Sequence, residues 1–524
     1  MWLPTSGKHR DFIERYLTLH DRYTAGELGE EEWRTWAQRQ LRAVVALAQE
    51  GSPFYARHLA GVPAGRLTLD DVRSLPFTTK DHLRTAMSDV LSRDLDEACF
   101  FYETTGTTGP ATPCPRDPRE VIASNAHVTE SWRNIFTDVF GDRAPRVGVM
   151  GPTEVHSLGD TLGDVARNVG SAVAKIWPYS PVIGFPKALQ LMRDLALDVV
   201  FCTPNVALSL AWAAREQGLD PRRDFAVKVF LVTGEMCTPD LARQIDQAWG
   251  ARTYNALYGS QETLVIASAC AHGRLHLARP NYIAELVDPD TGAALGDRGT
   301  GELVVTMLID GIKPLIRYRT GDLVELSDNV CGCGIRGPVM RVVGRTRDRI
   351  VLGGHSFQAW QIEQAVLRRI DHSYGYQVVI DRAEDGEDLI TVRLDLPDGR
   401  VQGPGPVRSS SAGEGAVSGA VGSKAEEGVM AEPSRLTTTP EAAVPDAVTP
   451  RGNSVQGLEA AHAARVADAL GVRCRVELPS ELDPVTTTGA FVSWKAARIH
   501  DRRAPIDHET AAARRLAGAR GHRA

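Results

Sequence analysis

The sequence contains no run of about 18 or more apolar residues, the length needed to cross a bilayer. Its first stretch, MWLPTSGKHRDFIERY, has no apolar signal-peptide core. These absences exclude a membrane-spanning helix and predict a cytosolic protein with no membrane partner. Charge of one sign is also lacking. The formal net charge is −7 over 524 residues, which gives no basic surface for nucleic acid or anionic lipid. A mildly acidic total leaves local anion sites open, because such sites need only a few groups. Cysteine is scarce too: eight in a chain of this length do not make a disulfide framework. Cys99, Cys114, Cys202, Cys237 and Cys474 are isolated and are expected as small buried hydrophobes.

A further absence concerns one lysine. The stretch FYETTGTTGPATPCP (101–115) packs Thr104, Thr105, Gly106, Thr107, Thr108 and Gly109 into six consecutive positions with no lysine beside them. Glycines let successive backbone N–H groups turn toward one anion, and threonine hydroxyls add donors. A Walker loop would need Gly-Lys-Ser/Thr opening a helix. Here Pro110, Pro113 and Pro115 follow, and they forbid an immediate helix. The loop suits phosphate but is not that of a P-loop NTPase. Its cation must come from elsewhere.

The length implies two or more domains. The first 100 residues read as mostly helical, with Leu41, Val44, Val45 and Ala48 at helical spacing. From about 145 to 260 the apolar runs RVGVM, AVAKIW, DVVFC, VKVFLVTG and RTYNALYG alternate with amphipathic segments such as FPKALQLMRDLA. That alternation predicts an α/β architecture with a parallel sheet, its ligand site at the carboxyl ends of the strands. Strand patterns with Gly and Asp turns then predict a β subdomain at about 281–345. A compact α+β piece follows, with helices near 359–370 and 457–470. Residues 401–456, rich in Gly, Ser, Ala and Pro and free of aromatics, are expected as a disordered insertion. The tail from 506 to 524 is expected to be frayed or flexible.

Four motifs in order carry a resemblance: TTGTTG, LYGSQET (257–263), IRYRTGDL (316–323) and GRTRDRIVLGG (344–354). Together they resemble the adenylate-forming superfamily of acyl- and aryl-CoA ligases and peptide-synthetase adenylation domains. The segment SPFYARHL…DDVRSLPFTTKDHLR and the loop GTTGPAT are most similar to the phenylacetate–CoA ligase-like branch, which also dispenses with the loop lysine. The resemblance spans nearly the whole chain except 401–456 and the tail. It implies a large N-terminal adenylation domain (1–345) and a small mobile α+β C-terminal domain (346–505).

The same resemblance assigns expected roles. Thr104 to Gly109 would wrap the ATP phosphates. Gly234 and Glu235 would line the adenine pocket, and Tyr258, followed by Gly259, would pack on the adenine ring. Glu262 would help hold Mg²⁺, a hard cation suited to carboxylate oxygen. Asp322 would take the ribose hydroxyls, with Arg345 near the ribose and α-phosphate. Attack of a substrate carboxylate on the α-phosphorus brings two anions together, so fixed positive charge should dominate catalysis. The family supplies it from a C-terminal lysine. TTGAFVSWKAARIHDRR (487–503) matches that motif at Lys495 and Arg498, with Trp494 in place of the usual glycine. Rotation about a hinge at Arg347 and Asp348 would then withdraw the lysine and open a thiol tunnel, whose wall glycine matches Gly354. Ala359 and Trp360 depart from the family pattern on the tunnel side. His156, in TEVHSLGD, is expected to gate the acyl pocket or orient the thiol, or else to be a satisfied structural histidine.

Cys270, His272, Cys331 and Cys333 flank the β subdomain, with His276 competing for the histidine position. They suit a structural tetrahedral zinc; free buried thiols are the alternative. The expected enzyme adenylates a small carboxylic acid, of aryl or arylacetic type, with ATP and Mg²⁺, then passes the acyl group to CoA. Transfer to a carrier-protein phosphopantetheine, an amine or another nucleophile is the rival reading, and a non-catalytic binding module a remote one. A monomer or homodimer is expected.

Overall fold

The computed structural model describes residues 7–104, 111–328, 331–335, 337–396, 455–479, 482 and 498–503. Residues 401–454 of the expected insertion, the 506–524 tail, Lys495 and Thr105 to Gly109 lie outside the described residues, and residues 455 and 456 open a helix.

A five-stranded sheet lies at the centre of the large domain. Its order is Val173–Lys175, Val147–Val149, Val199–Cys202, Val229–Val232 and Arg252–Asn255, and every pairing is parallel. These are the five runs expected from the sequence. Each residue of Val199–Cys202 and Val229–Val232 is buried, as a sheet covered by helices on both faces requires. The helices start sharply. Thr203 and Thr238 cap Pro204–Glu216 and Pro239–Trp249, each with proline in the first turn. Asp117 and Glu120 form a capping box on Pro118–Phe140. Among the described residues no helix is long and apolar enough to cross a membrane.

The second sheet has eight strands and runs, in spatial order, from Ala294–Gly296 at one edge to Leu257–Ser260 at the other. The β region therefore begins at Leu257 rather than at 281. The single apolar run RTYNALYG hides the boundary: Arg252–Asn255 ends the parallel sheet, and Leu257–Ser260 pairs antiparallel with Leu264–Ala269. The chain thus crosses from one sheet to the other at Ala256, immediately before the LYGSQE motif.

In the small domain Arg473–Glu477, Asp388–Asp395, Gly375–Arg382 and Ile499–Asp501 form one sheet. The helices Ala359–Leu367 and Val455–Leu470 accompany it. Both match the expected segments to within a few residues. One apolar cluster runs from the large domain into the small one, where Phe230, Ile245 and Trp249 join Ile362, Val366 and Val378. Polar contacts tighten this joint. Gln244 donates to the Ile370 carbonyl at 2.5 Å and accepts from Ser373 N at 2.8 Å.

Leu231 is fully buried in the parallel sheet. Leu231→Ala should cost about 3 kcal/mol of unfolding free energy in denaturant titration, the sum of lost transfer and cavity terms.

Candidate active site

A cleft of about 1700 Å³ opens at the carboxyl ends of the parallel strands and is lined by both sheets and the small domain. The sequence-predicted residues Gly234, Glu235, Tyr258, Gly259, Glu262, Asp322, Arg345, Arg347, Asp348 and His156 all line it. So does Thr104, at the stem of the threonine loop. Phe100–Glu103 pairs antiparallel with Pro113–Arg116, so Pro113 and Pro115 lie in a hairpin strand and the helix waits until Pro118. Thr104 Oγ1 accepts the N–H of Thr112 at 2.9 Å and closes the stem.

Three strands of the antiparallel sheet bring the nucleotide motif residues together. The Tyr258 phenol donates to Asp322 Oδ2 at 2.7 Å, and Arg345 Nε donates to Oδ1 at 3.0 Å. Burial, then the Asp322 charge, pushes the phenol well above its ordinary range, so it stays a donor. Both carboxylate oxygens keep lone pairs for further donors. Asp322 lies within the strand Tyr318–Ser327, which rules out a mere turn residue. Gly259 is glycine because a Cβ there would meet Leu264 O at 2.1 Å. Gly234 occupies φ +85°, a conformation that favours glycine.

Glu262 is only 3 % exposed. Its Oε1 lies 3.2 Å from Lys80 Nζ. Burial pushes the carboxyl up, but Lys80 and Lys313 outweigh it and hold the group below its ordinary value. Arg116, itself buried and paired with Glu120 at 2.7 Å, donates to the carbonyls of Gln261 and Glu262. Sequence reasoning missed Lys80, Lys313 and Arg116. Lys80 had one legible signal: it opens the helix Lys80–Ala86 behind a Thr79 capping box, where the helix dipole disfavours a cation. Its position is fixed because Thr78 is stitched beside Tyr318, donating to Arg317 O at 3.0 Å and accepting from Arg319 N at 2.9 Å.

His156 caps the helix Ser157–Asn168, its Nδ1 accepting the Leu158 N–H at 3.3 Å. The neutral ring therefore carries its proton on Nε2. Glu235 is engaged by Arg498. Gly354 does not line the cleft; it takes φ +81° in the turn between Arg349–Leu352 and His355–Gln358, and a Cβ there would meet nothing within 4 Å. Arg347 reaches Asp81 at 3.4 Å. Ala359 and Trp360 line the cleft.

Away from the cleft, one ligand atom from each of Cys270, His276, Cys331 and Cys333 lies within 4.8 Å of the others. This corrects the expected ligand set, with His276 replacing His272. His276 lies in the strand Leu275–Leu277 with its side chain buried, whereas His272 lies in the preceding turn. His272 still approaches Cys331 Sγ at 3.5 Å. A tetrahedral zinc with Zn–S of about 2.3 Å sets S···S spacings of roughly 3.8 Å. Cys270 and Cys331 are 3.6 Å apart, and Cys333 Sγ is 3.4 Å from His276 Nε2. The donor set fits.

No protein-family model matches the chain. The chain is 29% identical over 369 residues to a phenylacetate-coenzyme A ligase of Thermus thermophilus, covering 68% of this chain and 80% of that protein. The corresponding enzyme of Pseudomonas putida is 28% identical over 380 residues, with coverage of 68% and 80%. Among solved structures, 2-hydroxyisobutyryl-CoA ligase in the postadenylation state superposes with a TM-score of 0.69 at 19% identity. That match covers 99% of this chain and 96% of the ligase. The same ligase in its thioesterification state gives 0.54 at 18% identity, covering 94% and 93%. Fold and site define an adenylate-forming enzyme. Within that class the chain is similar to phenylacetate-coenzyme A ligases, at 28–29% identity to the two named above.

Lys80→Met should lower adenylation roughly tenfold or more while leaving circular dichroism unchanged. It removes a group that holds the Glu262 carboxyl low, so that pKa rises. The acid limb of the pH–rate profile should therefore move to higher pH, as pyrophosphate exchange would show.

Proposed function

We propose that this protein is an ATP-dependent, AMP-forming acid–CoA ligase of the cytosol, acting on an aryl or arylacetic acid. One observation carries the reading: Tyr258, Asp322 and Arg345 converge on the same cleft as a buried, ionised Glu262. The first three form a rigid acceptor–donor set suited to a nucleoside. The last is the kind of oxygen donor that a hard cation takes.

In this account Asp322 accepts from the ribose hydroxyls and Tyr258 supplies a flat face for adenine. Arg345 and Lys80 bring positive charge to the phosphate side. Glu262 would hold Mg²⁺, which supplies charge neutralisation on the phosphates when bound. Thr104 to Gly109 cradle the phosphates, and Lys495 comes to the α-phosphate from the small domain. The substrate carboxylate attacks the α-phosphorus and pyrophosphate leaves. Rotation about Arg347 and Asp348 then lets a thiol reach the acyl adenylate. His156, proton on Nε2, is a donor at the acyl side of the cleft.

A pyrophosphate-exchange panel over aryl, arylacetic, amino and aliphatic acids tests the first half-reaction. At least one aryl or arylacetic acid should support exchange, and silence across the panel in folded protein would sink the reading. Adding CoA should yield a thioester by mass. An acyl adenylate that CoA leaves untouched would instead favour a carrier-protein thiol or an amine.

Cys270, His276, Cys331 and Cys333 hold a structural zinc in this account, with no open position for chemistry. Protein purified without added metal should contain about one zinc per chain by elemental analysis. Cys333→Ser should lose it and unfold at lower temperature, whereas His272→Ala should keep it. Metal-free wild type would leave the four residues as free thiols and imidazole.

A further inference from the structure

The cleft's far wall holds a buried ion cluster that joins the two domains and that neither the nucleotide set nor the hinge explains. Arg498 belongs to the small domain by its backbone. Its carbonyl accepts from Val378 N at 2.7 Å, and Ile499 beside it pairs with Val378 in the small-domain sheet. Its side chain, 10 % exposed, points the other way. One guanidinium nitrogen donates to Glu235 of the large domain. The other reaches Glu363 of the small domain at 3.2 Å and the Met236 carbonyl at 3.4 Å. The guanidinium also sits 5.6 Å from the centre of the Tyr376 ring.

Glu363 is itself a bridge. One of its oxygens accepts from Thr238 N at 3.0 Å, at the cap of the large-domain helix Pro239–Trp249. The other accepts from the Tyr376 phenol. Two carboxylates, both almost fully buried, thus share one arginine across the joint. Taking away the arginine leaves them buried and uncompensated, which is far costlier than never having buried them.

Glu235 also connects this cluster to the nucleotide side. It follows Gly234 in the turn after the strand Val229–Val232. In the same turn Thr233 Oγ1 donates to Leu257 O at 3.0 Å, immediately before Tyr258.

We infer that Arg498 is a positioning residue for adenylation: its interdomain lock on Glu235 and Glu363 docks the small domain against the cleft in the orientation that the first half-reaction uses. The inference rests on the adenylating reading of this site. Rotation of the small domain must break the Arg498–Glu235 contact, since Glu235 stays with the large domain while Arg498 and Glu363 leave with the small one. The lock therefore favours the first half-reaction and opposes the second. A residue that merely holds the fold would serve both equally.

Two readouts on the full-length protein decide this. Hydrogen exchange of the peptide spanning 234–238 reads the docking without any substrate. Arg498→Met should speed that exchange about tenfold, and Arg498→Lys, which keeps the charge, should speed it less. The second readout compares half-reactions with phenylacetate as probe. Arg498→Met should lose about tenfold in pyrophosphate exchange, while thioester formation from supplied phenylacetyl-adenylate and CoA should hold or rise. Glu235→Gln, isosteric and able to accept a hydrogen bond, is the second variant should Arg498→Met fail to fold, and it should shift both readouts the same way. Unchanged hydrogen exchange in a folded variant, or equal loss of both half-reactions, would overturn the lock. A wild type inert toward every acid would refute the ligase reading, and hydrogen exchange would still decide the docking contact.

Discussion

Keeping one buried carboxylate ionised is the constraint on which this site is built. Glu262 is nearly inaccessible, and burial alone would drive it neutral. Lys80 and Lys313 prevent that, and each has a structural cost. Lys80 has to open a helix, against the dipole. Lys313, 1 % exposed, satisfies its ammonium on the Pro113 carbonyl and the Cys114 sulfur, so the hairpin carrying the threonine loop is fastened to the same cation. Arg116 fixes the backbone at Gln261 and Glu262 while its own charge is met by Glu120. Loop, helix and strand are thereby held in register by charges that cannot separate without leaving one of them buried alone.

That arrangement explains how a phosphate loop without a lysine can work. Positive charge is not absent; it is distributed. Some stands permanently beside Glu262, on Lys80. On the function proposed above, the rest would come with the small domain, which the cluster of Arg498, Glu235 and Glu363 docks. A fixed lysine in the loop would stay through both half-reactions, whereas a charge on a domain that moves can be withdrawn. The apolar joint between the domains makes docking favourable, and the ion cluster gives that docking one orientation.

Much of the fold was legible because its physics is periodic. Parallel strands covered on both faces read as unbroken apolar runs, and all five were visible. The crossing at Ala256 was not, because RTYNALYG has no glycine or proline between its two strands. Tyr258, Asp322 and Arg345 were legible through their motifs. Their mutual hydrogen bonds were not, since strand register decides them. Long-range polar contacts were the main blind spot. Arg116 meets Gln261 across 145 residues and Arg498 meets Glu235 across 263, and nothing in local pattern announces either. The metal cluster failed in a smaller way: residue spacing could not choose between His272 and His276, and the hairpin chose.

The central claim is that a carboxylate attacks the α-phosphorus of ATP in this cleft. It is tested most directly by following oxygen. The acid that supports exchange is labelled with ¹⁸O in its carboxylate and turned over with ATP and CoA, and the products are read by mass spectrometry. The account predicts that AMP carries one labelled oxygen and that the thioester keeps the other. Label in inorganic phosphate, with ADP as the nucleotide product, would mean attack at the γ-phosphorus and would contradict it.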